Sequence, residues 1–477
     1  MADSWDVIVV GGGTAGMPAA TFAAARGARV LVIEAAPDVG GTLHISTGQL
    51  SAAGTRLQKA KGVTDTPDAH FEDIIRISKD TVDRDLVRLA VDNAAETFEW
   101  LQENGYQPLD DHPVLGQAHE PYSERRYYWG PEGGVSILKT LRKPFQKAVE
   151  GGNVTVKTST RVTELVTDAG GAVVGVKTDG GETFHGQNIL LTCGGYASNG
   201  AMFEELNGVP QYFDGAYPFS QGAGLKLGQS VGGWLRGGEN YLCGYGTVLE
   251  TDTIPAKATV RPLHHPHMRA PWEIHVNVRG ERFVQEDVDS VDVREHAILK
   301  QPDLRRWVVY DAAIAKASPP HFGDKTKEQE MAFFGSHPMF YKADTLEALA
   351  AAAGIDAAGL VKSVAAYNQA LESNAPDPMG RKHRPLPIKQ APFYAYRVQG
   401  TSISSTVGLA VDRELRVIDK NNKPIPNLYA AGELLGAGQT MGDSFCGGMM
   451  ATPAMTFGRL LGQRMLTWED RAAQAAE

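Results

Sequence analysis

The run Asp6-Val-Ile-Val-Val-Gly-Gly-Gly-Thr-Ala-Gly16 constrains this chain more than any other feature. Val7–Val10 is short, apolar and β-branched, the composition of a buried parallel strand. Gly11, Gly13 and Gly16 then follow the spacing G-x-G-x-x-G, which leads such a strand into a helix around a dinucleotide pyrophosphate. Gly11 allows the tight turn, Gly13 admits phosphates to the backbone, and Gly16 lets the helix lie close on the strand. Thr14 and Ala15 complete the loop, where the helix presents its N–H groups and positive end to an anion. Arg29–Ile33 reads as the second strand, and Glu34 at its tip is placed to accept a ribose hydroxyl. Strand, small-residue helix, strand and acid stand in the required order, which separates this run from an isolated glycine pattern.

The chain has 477 residues, enough for about two to three domains and a large core. A net charge of −10 argues against non-specific nucleic-acid binding and against a membrane-surface role. No apolar run approaches the ~20 residues that span a bilayer. Strand one begins within a few residues of the start, so no signal or transit segment is expected. Cys193, Cys243 and Cys446 are too widely spaced for a disulfide framework, an iron–sulfur site or a zinc site. The expectation is a cytoplasmic enzyme acting on a small molecule, with no nucleic-acid partner and no membrane span.

Along the chain, Asp38-Val-Gly40-Gly41-Thr42 leads into a Gly/Ser/Ala-rich loop from His44 to Thr55 that includes Gly48. Charged helical segments follow through Asp68–Asn104, then a polar aromatic stretch with Tyr122, Arg125, Arg126, Tyr127, Tyr128 and Trp129. Gly133-Gly134 opens an amphipathic helix over Val135–Val149. Val154–Lys157, Val162–Thr167 and Ala172–Thr178 read as a small antiparallel element, and Ile189–Thr192 as a buried strand ending in Gly194-Gly195-Tyr196. From about Gly237 to Gln390 Pro, His and charge increase and the βαβ rhythm stops, the signature of an inserted domain. Helices are predicted there over Leu346–Ala353 and Ala357–Glu372. The first domain resumes with strands at Ala410–Arg416 and Leu428–Gly432-Glu433. Gly447-Gly448 then opens a last helix from Met449 to about Met465, although tight helix packing alone would also explain the glycine pair. The predicted domains are 1–236, 237–390 and 391–477.

Together Gly11–Glu34, Asp38–Gly41, Gly194-Gly195-Tyr196, Gly280-Glu-Arg-Phe-Val-Gln-Glu286, Ala343–Asn368, Asn427–Glu433 and Pro453-Ala-Met-Thr-Phe-Gly458 resemble the flavoprotein family of soluble fumarate reductases and 3-ketosteroid 1-dehydrogenases. The resemblance spans nearly the whole chain in family order. It implies an α/β fold: a Rossmann-like, glutathione-reductase-like FAD-binding domain with an inserted α+β capping domain over the flavin. The cofactor would be FAD, with Glu433 on the ribityl chain and the helix after Gly448 and Met449 directed at the pyrimidine edge. The position at which some relatives attach FAD through histidine is Thr42, which implies non-covalent binding.

The resemblance also implies oxidoreduction of a C–C bond beside a carbonyl, with hydride exchanged at flavin N5 and a side chain handling the α-proton. Departures from the family pattern narrow the substrate. The fumarate reductase proton-donor arginine aligns with Arg294 after a short insertion. Their dicarboxylate-binding histidine and arginine fall at Ser404 and Phe445, which disfavours a small dianion. The steroid enzymes' base falls near Ser290, while Tyr127-Tyr128 loosely match their N-terminal active-site tyrosine.

In His264-His265-Pro266-His267-Met268-Arg269 no carboxylate or cysteine stands at ligand spacing, so a metal site is the lesser alternative to proton transfer or carbonyl binding and to a plain surface loop. The catalytic candidates are Tyr128, Arg294, His267, Tyr127, His265 and Arg269. The favoured reaction is α,β-dehydrogenation of a cyclic or hydrophobic ketone. An ene-reductase of an unsaturated carboxylate using Arg294 is the first alternative, and a non-catalytic electron-carrying flavoprotein is another. The partners are a small carbonyl substrate and an electron acceptor or donor of unknown identity.

Overall fold

The computed structural model describes residues 4–116 and 119–468. The chain forms two compact units. The first comprises the chain through Gly208, Ala216–Leu242 and the chain from Ser404; the second comprises Val209–Gly215 and Cys243–Ile403.

The first unit is built on an eight-stranded sheet. Its strands are β1 (Trp5–Val10), β2 (Val30–Ile33), β3 (Val154–Lys157), β4 (Val162–Thr167), β5 (Val173–Thr178), β6 (Thr183–Leu191), β7 (Arg416–Ile418) and β8 (Pro424–Ala430). β8, β6, β1, β2 and β3 run parallel in that spatial order, with Val7 opposite Val30 and Ile8 opposite Ile189. Val7–Val9 and Ile189–Leu191 are fully buried, the continuous apolar pattern of a sheet covered on both faces.

β3 departs from the predicted antiparallel element and pairs parallel with β2. Four residues are too few for alternation to tell a covered parallel strand from a hairpin strand. The meander consists instead of β4, β5 and the first part of β6. The strand expected over Ala410–Arg416 is split into Gly408–Leu409 and β7, because Leu415 turns the chain with φ 61°.

Four helices matter for the site: α1 (Gly16–Ala25), α2 (Arg84–Glu103), α3 (Gly134–Glu150) and α4 (Ala451–Leu460). α4 begins two residues later than predicted and passes into a π-turn over Leu461–Met465. It lies on α1 because Gly458 and Gly462 have no side chain; a Cβ at either would overlap the carbonyl oxygen of Ala15 or of Ala19. The Pro453–Gly458 motif therefore docks the end of the chain on the first glycine turn. Thr456 Oγ1 and Thr97 Oγ1, 3.0 Å apart, tie α4 to α2, and Arg459 Nε donates to Thr97 Oγ1 at 3.0 Å.

The second unit carries a six-stranded antiparallel sheet. Phe393–Thr401 pairs with Gly244–Leu249, Arg305–Asp311 and Phe340–Ala343, and Ile274–Val276 pairs with Arg305–Asp311. The helices Leu346–Ala353 and Ala357–Glu372 have the predicted bounds. Gly354 in the left-handed conformation ends the first, and Asp356 caps the second by accepting from Gly359 N. Their faces bury Leu349, Leu360 and Val364 in one core with Ile274, Val308, Tyr310 and Tyr396. Among the described residues no helix is long and apolar enough to cross a membrane.

Candidate active site

The first unit gathers glycines from both ends of the chain. Gly11 turns β1 towards α1 with φ 102°, and a Cβ there would come within 2.6 Å of Thr192 O. At Gly13 a Cβ would meet nothing nearer than Gly41 Cα at 3.9 Å, so the turn stays open where a phosphate must approach. Gly40 N donates to Gly12 O at 2.9 Å, which fixes Gly40, Gly41 and Thr42 beside Thr14 and the turn. Ala15 at the N-cap of α1 supplies no capping side chain, leaving the helix end for an external acceptor. At Gly432 (φ 83°) a Cβ would stand 3.3 Å from the Ala15 methyl.

Glu34 is buried, and its carboxylate accepts from Gly12 N and Ala36 N, both at 2.8 Å. Burial raises its pKa against those hydrogen bonds, and each oxygen keeps a lone pair for a ribose hydroxyl. Glu433 accepts from Ser405 N at 3.1 Å and Ser405 Oγ at 2.9 Å, and burial raises its pKa as well. A Cβ at Gly195 would overlap Ser405 Oγ and lie 3.0 Å from Glu433, so the Gly194-Gly195 turn closes on the same carboxylate. Beside Ser405, the buried hydroxyl of Thr406 has no partner among the described residues. Open glycine backbone, an uncapped helix end, two buried carboxylates and an orphaned hydroxyl fit a long, polar, anionic cofactor.

Gly48 and Gly448 have packing reasons of their own. A Cβ at Gly48 would overlap Gly133, and one at Gly448 would overlap the backbone of Leu50–Ser51. Gly447 lies against the Tyr127 ring, and Met449 is fully buried before α4. Thr452 Oγ1 accepts from Ser51 N at 2.9 Å, linking the Gly448 turn to the loop that follows Thr42.

A family model described as an FAD binding domain matches residues 6–449. The chain belongs to that family. FAD is its cofactor, and it is an FAD-dependent oxidoreductase of the class acting on C=C and CH–CH bonds. Over 487 residues it is 31% identical to a urocanate reductase of Eggerthella lenta, covering 96% of this chain and 74% of the relative. It is 29% identical over 469 residues to a probable fumarate reductase of Shewanella frigidimarina, covering 96% and 74%. The structure of a 3-ketosteroid Δ1-dehydrogenase from Sterolibacterium denitrificans superposes with a TM-score of 0.73 at 21% identity, covering 97% of this chain and 99% of that one, a likeness of fold.

The catalytic candidates fall into both units of the flavoprotein. In the first, Tyr127 and Tyr128 are fully buried, on a two-residue strand paired with Leu50–Ser51. Tyr128 OH bonds Thr55 Oγ1 at 2.9 Å, and burial raises the pKa of both phenols. Phe445 stacks on His119 with centroids 5.0 Å apart.

In the second unit, Arg294 lies on the buried face of Val291–Leu299 with Val291 and Ile298. Ser290 caps that helix through Val293 N. The Arg294 guanidinium donates to Val288 O and contacts His265 Nδ1 at 3.2 Å, and the His265 ring stacks on exposed His267. Arg269 is committed elsewhere: it forks onto Glu273 at 2.8 and 3.0 Å, and Glu273 also approaches His321 Nε2 at 3.3 Å.

Sequence reading missed Ser405, Thr452 and Arg306. Arg306 alternates with Val308 and Tyr310 on one strand face, and the charged pair Arg305-Arg306 at the start of an apolar run reads as an exposed strand end. The hydroxyls of Ser405 and Thr452 carry no local signal, because their partners lie far away in sequence.

Proposed function

We propose that this flavoprotein reduces the C=C bond of an alkene conjugated to a carboxyl or carbonyl group, and that Arg294 delivers the proton to the α-carbon. FAD, once reduced by an external electron donor, would supply the electron pair and the other hydrogen. The observation that carries the reading is the placement of Arg294: its guanidinium is fully buried, held by the Val288 carbonyl and His265. A cation held out of water favours the negative charge that develops beside the carbonyl, and its N–H is a fixed proton source. His265, half-buried in the next loop, is the group through which that proton is replaced.

Dehydrogenation of a ketone, the reaction favoured on sequence, needs a base with a pKa brought down towards neutrality. Tyr127 and Tyr128 are shifted the opposite way. The relatives named as fumarate and urocanate reductases support the reductive direction. The test is anaerobic: dithionite-reduced holoenzyme is mixed with crotonate, trans-cinnamate and cyclohexenone, and oxidised holoenzyme with the saturated counterparts. Reoxidation by an alkene is expected. Bleaching by a saturated ketone with no reoxidation by any alkene would establish the dehydrogenase reading instead.

A further inference from the structure

Among the described residues, one buried cation of the second unit has no anion of its own. Arg306 stands on the strand Arg305–Asp311 and is fully buried. Its Nε donates to Tyr245 O at 3.3 Å, Nη2 approaches the His264 ring at 2.6 Å, and the guanidinium lies 3.9 Å over the Tyr245 ring. Among the described residues Nη1 meets no acceptor. Among the described residues no carboxylate comes within ion-pair distance of this side chain. Glu273, a carboxylate with electrostatic influence on it, is already forked by Arg269.

Its neighbours add no negative charge. Tyr245 OH bonds His275 Nδ1 at 2.8 Å, and burial pushes that phenol up to about 12. Burial and the Arg306 charge hold His264 and His275 neutral, well below the usual histidine range. The neighbouring residue His265 contacts a second buried guanidinium, that of Arg294. A desolvated guanidinium with a spare N–H is costly unless some state of the protein pairs it, and its planar fork suits a carboxylate.

We infer that Arg306, with the His264 ring beside it, is the receptor for one carboxylate group of the substrate, so that this chain selects monocarboxylates. The inference rests on the reductive reading for the word substrate, but it is a claim about binding alone. It also accounts for Ser404 and Phe445: the two positions where dicarboxylate-binding groups were sought carry no charge, and Arg306 supplies a single counter-charge.

The test is equilibrium titration of oxidised holoenzyme, followed by calorimetry and the flavin spectrum, with trans-cinnamate, crotonate, their methyl esters and fumarate. An acid should bind at least about 10-fold more tightly than its ester. Arg306→Gln should bring that ratio to within about 2-fold, Arg306→Lys should retain part of it, and fumarate should gain nothing from its second charge. Equal binding of acid and ester by the wild type, failure of every acid to bind, or a preference that survives in Arg306→Gln would overturn the inference. So would a variant whose only change is a lower Tm, the mark of a purely structural arginine. Should Arg306→Gln not fold, the wild-type ratio and its loss in His264→Gln decide the matter. Failure of the reductive reading looks different: acids bind selectively, yet none reoxidises the reduced enzyme.

Discussion

The cofactor half of the first unit and the charged interior of the second solve different problems with different materials. Around Gly11–Gly16, Gly41, Gly195 and Gly432 the protein offers backbone and open space, and its carboxylates, Glu34 and Glu433, are held by N–H and hydroxyl donors rather than by cations. The second unit instead buries whole ion pairs: Arg269 with Glu273, and Arg282 with both Glu286 and Asp377. A site that receives a large anion must keep its donors unspent. A scaffold that buries cations must pair them or bear the cost of their desolvation.

The comparison breaks most visibly at those ion pairs. Arg282→Met leaves Asp377 buried without its cation and Glu286 with only Arg381, 3.7 Å away, and the expected loss is about 3–5 kcal/mol, read from the urea midpoint. A loss below about 1 kcal/mol would mean that these charges are solvated. Gly16→Val tests the other material. A Cβ there would overlap Gly11 O, so about 3 kcal/mol is lost and the purified protein comes out colourless. A yellow, stable variant would contradict the close approach of α1 to the turn.

The first unit also has a pH-dependent feature. Burial, with the Arg126 charge second, lowers the pKa of His70 from 6.5 to about 3. The histidine is therefore neutral when folded, and its contribution is complete above about pH 6.5 and lost as pH falls towards 3. Between pH 7 and pH 5, His70→Leu should gain on the wild type by about 2 kcal/mol. A difference independent of pH would show that His70 is not held neutral. The smallest effect is expected at the surface: Lys177→Ala, which removes the exposed pair with Glu164, should shift stability by less than about 0.5 kcal/mol.

How far the sequence was legible follows the same division. The glycine turn, Glu34, the Gly194-Gly195 turn and the two helices of the second unit could be read locally, since each rests on spacing within a few residues. The parallel pairing of β3 could not be, because a covered strand and a hairpin strand look alike at four residues. Nor could Arg306, whose burial depends on Tyr245 and His264 arriving from other segments. The tyrosines show the limit from the other side: Tyr127 and Tyr128 have the right residue type beside a glycine pair, yet the fold fixes Tyr128 on Thr55.

The most direct test of the account is a single-turnover comparison of Arg294→Gln and Tyr128→Phe. Each is reduced anaerobically and mixed with the alkene that reoxidises the wild type fastest, with alkene binding measured alongside. The account predicts that Arg294→Gln slows reoxidation by at least about 1,000-fold with binding changed only a few-fold, and that Tyr128→Phe stays within about 10-fold of the wild type. The reverse order of the two rates would contradict it.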